Sequence, residues 1–162
     1  MKNHSNSNIW LKIGSVLFVL WGILHIWVGY NATCLLINDN PYHELWDMLL
    51  GGKNAPIEKF QFATDSITQK VQINFIYNFC LDVTGAGLLG VVIGFMLWRH
   101  MIPWLAFFMG FFVIGLIDLS FMFLQVTSGH VKGTWETYGG PIIWVLAVLI
   151  IPLGLPKLKF KN

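Results

Sequence analysis

Four long apolar runs, separated by polar breaks, predict four helices that each cross a bilayer. They cover about residues 13–30, 71–98, 103–127 and 141–155, the last being the shortest. A spanning helix needs about 20 mostly apolar residues. Arg99, His100, Met101 and Ile102 leave room only for a tight turn, so the second and third helices are predicted to be antiparallel neighbours. Residues 128–140 read as a short glycine-rich loop.

The stretch 31–70 is longer than a plain connector needs. Its segment NPYHELWDMLLGG offers Pro41 as a helix start and Gly51-Gly52 as a stop. Mixed apolar and polar positions there predict a short amphipathic helix on the membrane surface. A second start at Asn54-Ala55-Pro56 precedes Ile57, Phe60, Ile67 and Val71 at helical spacing. That spacing predicts an amphipathic extension running directly into the second spanning helix. The expected fold class is an all-α integral membrane protein. It is one domain, a four-transmembrane-helix bundle with a short interfacial helix in the first extracytoplasmic loop.

Composition narrows the class further. The chain has 162 residues, 56% hydrophobic and only 11% charged, with a mean hydropathy of +0.64. Soluble domains carry about 25% charged residues, so the bilayer supplies the solvent that the sequence cannot. The first run is too long for a cleavable signal core of ~7–15 residues and reads as a retained helix. The net charge of +2, without a basic stripe, gives no nucleic-acid signal. Cys34 and Cys80 form no metal-binding pattern and read as free thiols.

Charge sets the expected orientation. Lys2 and Lys12, Arg99, and Lys157, Lys159 and Lys161 mark both tails and the tight turn as cytoplasmic. The long connection holds Asp39, Glu44, Asp47, Glu58 and Asp65 and is expected outside. The chain is therefore expected in the cell membrane, multi-pass, with both termini cytoplasmic.

Against that frame the intramembrane polar residues stand out. At 1.5 Å per residue, Asp82 lies about 16 Å below the outer boundary, Asp118 about 8 Å below it, and His25 in the outer half. An ionised Asp near the bilayer centre costs about 2.5–3.5 kcal/mol on insertion scales, so it must be protonated, paired or wet. His25 is the one basic side chain at comparable depth. Gly22, His25 and Gly29 share a helical face, as do Gly115, Asp118, Met122 and Gln125. Asn74, Asn78 and Asp82 step by four into Ala86, Gly90 and Gly94, a small-residue packing stripe. These faces are expected to turn inward, closing tightly on the cytoplasmic side and leaving a polar chamber on the other.

The candidate catalytic residues are accordingly His25, Asp82 and Asp118. The candidate binding residues are Trp21, Asn74, Asn78, Gln125, His43, Glu44, His130 and Glu136. The bland alternative is polar glue between helices, with the carboxyls protonated. His43 and Asp47 are spaced to grip a metal, but the zinc motif requires a second histidine where Asp47 stands, so no metal site is assigned. Only His25 lies inside a span, and His100 is at the opposite side, which argues against bis-histidine haem. The pattern names no cofactor.

The expected function is binding of, or action on, a small amphipathic or lipid-like molecule in the outer half of the bilayer. In an enzyme, the histidine and a carboxylate would transfer a proton or hold a metal ion. The alternatives are a non-catalytic subunit or assembly factor of a membrane complex, or a proton- or ion-coupled transporter. The expected partners are the lipid bilayer, the amphipathic ligand, and a homo-oligomer or larger membrane complex.

Overall fold

The computed structural model describes residues 4–38, 50–56, 59, 61 and 63–157, with side chains in the first helix from Ile9 onward. Among the described residues four helices are long and apolar enough to cross a bilayer, the build of a multi-pass membrane protein. They are α1 (His4–Ile37), α2 (Ser66–Trp98), α3 (Pro103–Val126) and α4 (Trp135–Ile150). A single 3-10 turn, Ile151–Leu153, extends α4. Among the described residues there is no strand, only isolated bridges.

Lys12 of α1 lies over the Trp98 ring at the end of α2, 5.2 Å from its centroid. The Trp104 indole at the start of α3 donates to the Pro156 carbonyl beyond α4 (2.9 Å). These contacts gather both chain ends and the α2–α3 turn at one end of the bundle, here the termini end. The turn is tight because His100 and Ile102 adopt left-handed backbone conformations, which side-chain-bearing residues seldom do. Pro103 then starts α3, where its missing N–H costs nothing. The two longer connections meet at the opposite end, the loop end. There the Gly52 N–H donates to the His130 carbonyl (3.1 Å), and the Lys132 N–H to the Leu50 carbonyl (3.0 Å).

Glycines decide how α1 meets α2. A Cβ on Gly22 would stand 2.5 Å from the Gly87 carbonyl oxygen, and one on Gly87 would stand 2.6 Å from that of Gly22. The backbones therefore touch where neither residue has a side chain. Gly94 continues the seam, its carbonyl accepting from the buried Ser15 hydroxyl (2.6 Å). Phe18, Trp21, Ile93, Leu97, Ile114 and Ile151 are fully buried and fill the bundle beside this seam. The Phe18 ring covers Gly110 on α3, and the Trp144 indole of α4 donates to the Gly110 carbonyl (3.0 Å).

Several expectations need correction. The 128–140 loop ends early, because α4 begins at Trp135 and not near Pro141. The Thr134 N–H donates to the Thr137 hydroxyl (2.8 Å), half of a capping box. Pro141 sits inside the helix, as membrane-type helices tolerate. The extension expected from Asn54 into the second helix is shorter, because α2 starts at Ser66, with Asp65 as its cap. Gly51 and Gly52, expected as a helix stop, form bridges with Val131 and Ala55. The interfacial helix expected around His43 and Glu44 lies outside the described residues.

Helix α3 holds a feature with no counterpart in the expectations. It is π-helical over Met109–Ile114 and again over Met122–Val126. The α-helical turns between them, Gly115–Phe121, carry Asp118. π-Helical turns are rare and gather at functional sites.

Candidate functional site

Trp21 organises the polar centre of the loop-end half. Its indole Nε1–H donates to Asp118 Oδ2 across 2.9 Å. Its carbonyl lies 2.8 Å from His25 Nδ1, one turn along α1. A carbonyl only accepts, so Nδ1 carries the proton of that bond. The two rings stack, with centroids 3.7 Å apart and planes at 24°. One fully buried tryptophan thus fixes the imidazole's orientation and one carboxylate oxygen of the acid.

That leaves His25 Nε2 and Asp118 Oδ1 facing each other across 3.8 Å. This is ion-pair range for an imidazolium but too long for a hydrogen bond. In the neutral ring both atoms are acceptors. Asp118 is buried, at 2% exposure. Gly140 of α4 closes over the gap. A Cβ there would stand 2.9 Å from His25 Cε1 and 3.5 Å from both His25 Nε2 and Asp118 Oδ1.

The pair sits in the wall of a cavity of about 390 Å³ between α1, α2, α3 and α4. Leu24, Val28, Phe79, Val83, Phe121 and Leu124 make much of its apolar lining. Gln125, Glu136, Thr137 and Ser120 add polar groups. The Ser120 hydroxyl donates to the Ile117 carbonyl (2.9 Å), and Thr137's donates to that of Thr134 (2.9 Å). A mostly apolar cavity with a few converging polar groups is the usual form of a small-molecule site. Chemically, the pair can accept hydrogen bonds from a polar head, or take up and return a proton.

The candidate residues separate into groups. His25, Asp118, Gln125 and Glu136 line the cavity, and Trp21 stands behind the pair. Asp82 does not join them. It is exposed on α2 and accepts from the Asn78 amide (2.9 Å), with Asn74 exposed above. The expected shared face of Gly22, His25 and Gly29 also divides. The glycines pack on α2, while His25 turns to α3 and α4. His130 is exposed in the α3–α4 connection, 2.6 Å from the Ser128 hydroxyl. His43 and Glu44 lie outside the described residues.

Thr137, Gly139 and Gly140 were missed by sequence reasoning because they were assigned to a loop. The signal that was present is Thr134 three residues before Thr137, a helix start ahead of Pro141. Among the described residues, no three His, Cys, Asp or Glu side chains are grouped to hold a metal ion. Cys34 and Cys80 are free thiols. Comparison with protein-family models, curated proteins and solved structures found no match.

Proposed function

We propose that the protein binds a small amphipathic or lipid-like molecule in this cavity, with its polar end at His25 and Asp118 and its apolar part along the Leu24 and Phe121 side. The supporting observation is the convergence of His25 and Asp118 at one cavity otherwise lined largely by hydrocarbon. If the ligand is transformed, His25 Nε2 is the group placed to take a proton from it, and Asp118 stabilises the imidazolium formed. In this reading the ligand enters from the bilayer along the apolar side of the cavity. With both termini in the cytoplasm of a cell membrane, as the charge distribution indicates, the cavity faces the extracytoplasmic leaflet.

The test is native mass spectrometry of the gently solubilised full chain. Wild type is expected to carry a small non-covalent mass. Val83→Trp, which fills the cavity wall, is expected to lose it, while Val92→Trp, on the exposed surface of α2, keeps it. Retention of the mass by Val83→Trp, or its absence from wild type, refutes the reading.

The exposed Asn78–Asp82 pair supports a second reading, a subunit that meets a partner helix in the membrane. A carboxylate at that depth is expected to face another polar group rather than lipid. An unchanged assembly size for Asp82→Leu on native gels refutes it.

A further inference from the structure

The cavity's polar groups restrict the head group it can take. His25 Nδ1–H is engaged with the Trp21 carbonyl, so a neutral imidazole offers only the Nε2 lone pair. Asp118 Oδ2 already accepts from the Trp21 indole, so its free acceptor is Oδ1. The two free acceptors stand 3.8 Å apart with no hydrogen bond between them. A donor atom about 2.9 Å from each fits between them, since the gap is less than twice that length.

The rest of the lining favours the same head. Ser120 and Thr137 already donate to backbone carbonyls. Among the described residues no Lys or Arg lines the cavity, whereas Glu136, with Lys132 nearby, adds a second carboxylate. That acid lies in the first turn of α4, where it offsets the positive helix end that would otherwise attract an anion. Trp27, Phe79, Phe121 and Trp135 also line the space, and aromatic faces attract cations.

We propose that the ligand is an ammonium-bearing amphiphile, its N–H groups bridging His25 Nε2 and Asp118 Oδ1 and its alkyl chain lying along the apolar wall. This rests on the reading that the cavity holds a ligand. An ammonium has several donors on one atom and no acceptor, which complements two acceptors and a carboxylate. A carboxylate or phosphate head would be repelled by Asp118, the buried acid. An alcohol could satisfy one acceptor but would leave the charge unpaired.

The test titrates the solubilised full chain with four probes, dodecylamine, dodecanol, dodecanoate and lysophosphatidylethanolamine, reading bound mass by native mass spectrometry. Dodecylamine is expected to bind at least about tenfold more tightly than dodecanol or dodecanoate. Asp118→Asn is expected to remove that preference by weakening dodecylamine binding more than dodecanol binding. Should the Asp118 variant not fold, His25→Phe, which removes the Nε2 acceptor and keeps a ring beside Trp21, is expected to weaken dodecylamine binding more than dodecanoate binding. Lysophosphatidylethanolamine separates the two sources of an ammonium. Binding as tight as dodecylamine assigns the head to a phospholipid, and binding by dodecylamine alone assigns it to a free long-chain amine; both support the proposal. Equal or tighter binding of dodecanol or dodecanoate, still blocked by Val83→Trp, overturns the ammonium assignment and leaves the cavity reading intact. Binding of no probe, or binding that Val83→Trp does not block, overturns both.

Discussion

Replacing Trp21 with Phe isolates the hydrogen bond that holds Asp118. Phenylalanine keeps a ring against His25 but has no N–H to give to Asp118 Oδ2. Trp21 is fully buried, so the smaller ring leaves a void of roughly 40 Å³, costing about 1 kcal/mol at ~24 cal/mol per Å³. Losing the donor to a buried carboxyl costs about 1–3 kcal/mol in soluble proteins. Measured interhelical bonds in membranes run lower, about 0.6–1.7 kcal/mol. The bilayer value governs here, because the unfolded helix in lipid also finds polar partners. The expected total is about 1.6–2.7 kcal/mol. The two contributions separate in a double-mutant cycle with Asp118→Ala, where the acceptor is gone and only the void, about 1 kcal/mol, should remain. Reversible unfolding in mixed detergent–dodecyl sulfate micelles, followed by circular dichroism, gives all four free energies. Equal costs of Trp21→Phe in the two backgrounds would show that the bond contributes nothing and that Asp118 is not held by the indole.

Other outcomes follow from the seam, the α2 cap and the cover over the site. Gly87→Ala places a methyl against the Gly22 carbonyl and should destabilise the bundle by about 1–3 kcal/mol. Gly85→Ala, whose Cβ meets nothing within 4 Å, should be neutral or slightly stabilising; equal effects in the same micelle assay would contradict the α1–α2 contact. Asp65 accepts from the Thr68 N–H, which holds its carboxyl below the usual carboxylate range. A lowered folded value means that its contribution is present above the ordinary carboxylate range and lost as the pH falls through the folded value. Exchange protection of the amides of residues 68–70, corrected for intrinsic rates, should fall at that low pH in wild type and be low throughout in Asp65→Ala; identical profiles refute the cap. Gly140→Ala should weaken ligand binding more than it lowers stability, since its methyl points at the His25–Asp118 gap; unchanged affinity in the native mass assay refutes that placement.

The number of spans, the tight α2–α3 turn and the small-residue seam were legible, because hydropathy and glycine spacing act locally along a helix. Azimuth was not. Asp82 steps by four into Gly90 and Gly94, but each such step overshoots a full turn by about 40°. The seam runs through Gly87, Gly90 and Gly94, which leaves Asp82 about 140° from Gly87 and exposed on α2. His25 and Asp118 were recognisable as intramembrane ionisable groups, yet their pairing depends on the Trp21 side chain reaching across from α1. The π-helical stretches around Asp118 could not be read at all, since no residue pattern marks them and the wider turn changes which residues share a face. Helix α4 was placed late because its apolar run begins only near Pro141, while its first turns, residues 135–140, are polar and glycine-rich.

The most direct test is whether a membrane-borne molecule reaches the His25–Asp118 end of the cavity. An alkyl diazirine probe carried in the bilayer, activated by light and mapped by peptide mass spectrometry, reports which residues it touches. Labelling of Ile117 and Thr137, which line the cavity, and its loss in Val83→Trp are the expected result. Labelling confined to the outward side chains of Leu116, Phe123 and Leu149, unchanged by Val83→Trp, would contradict it.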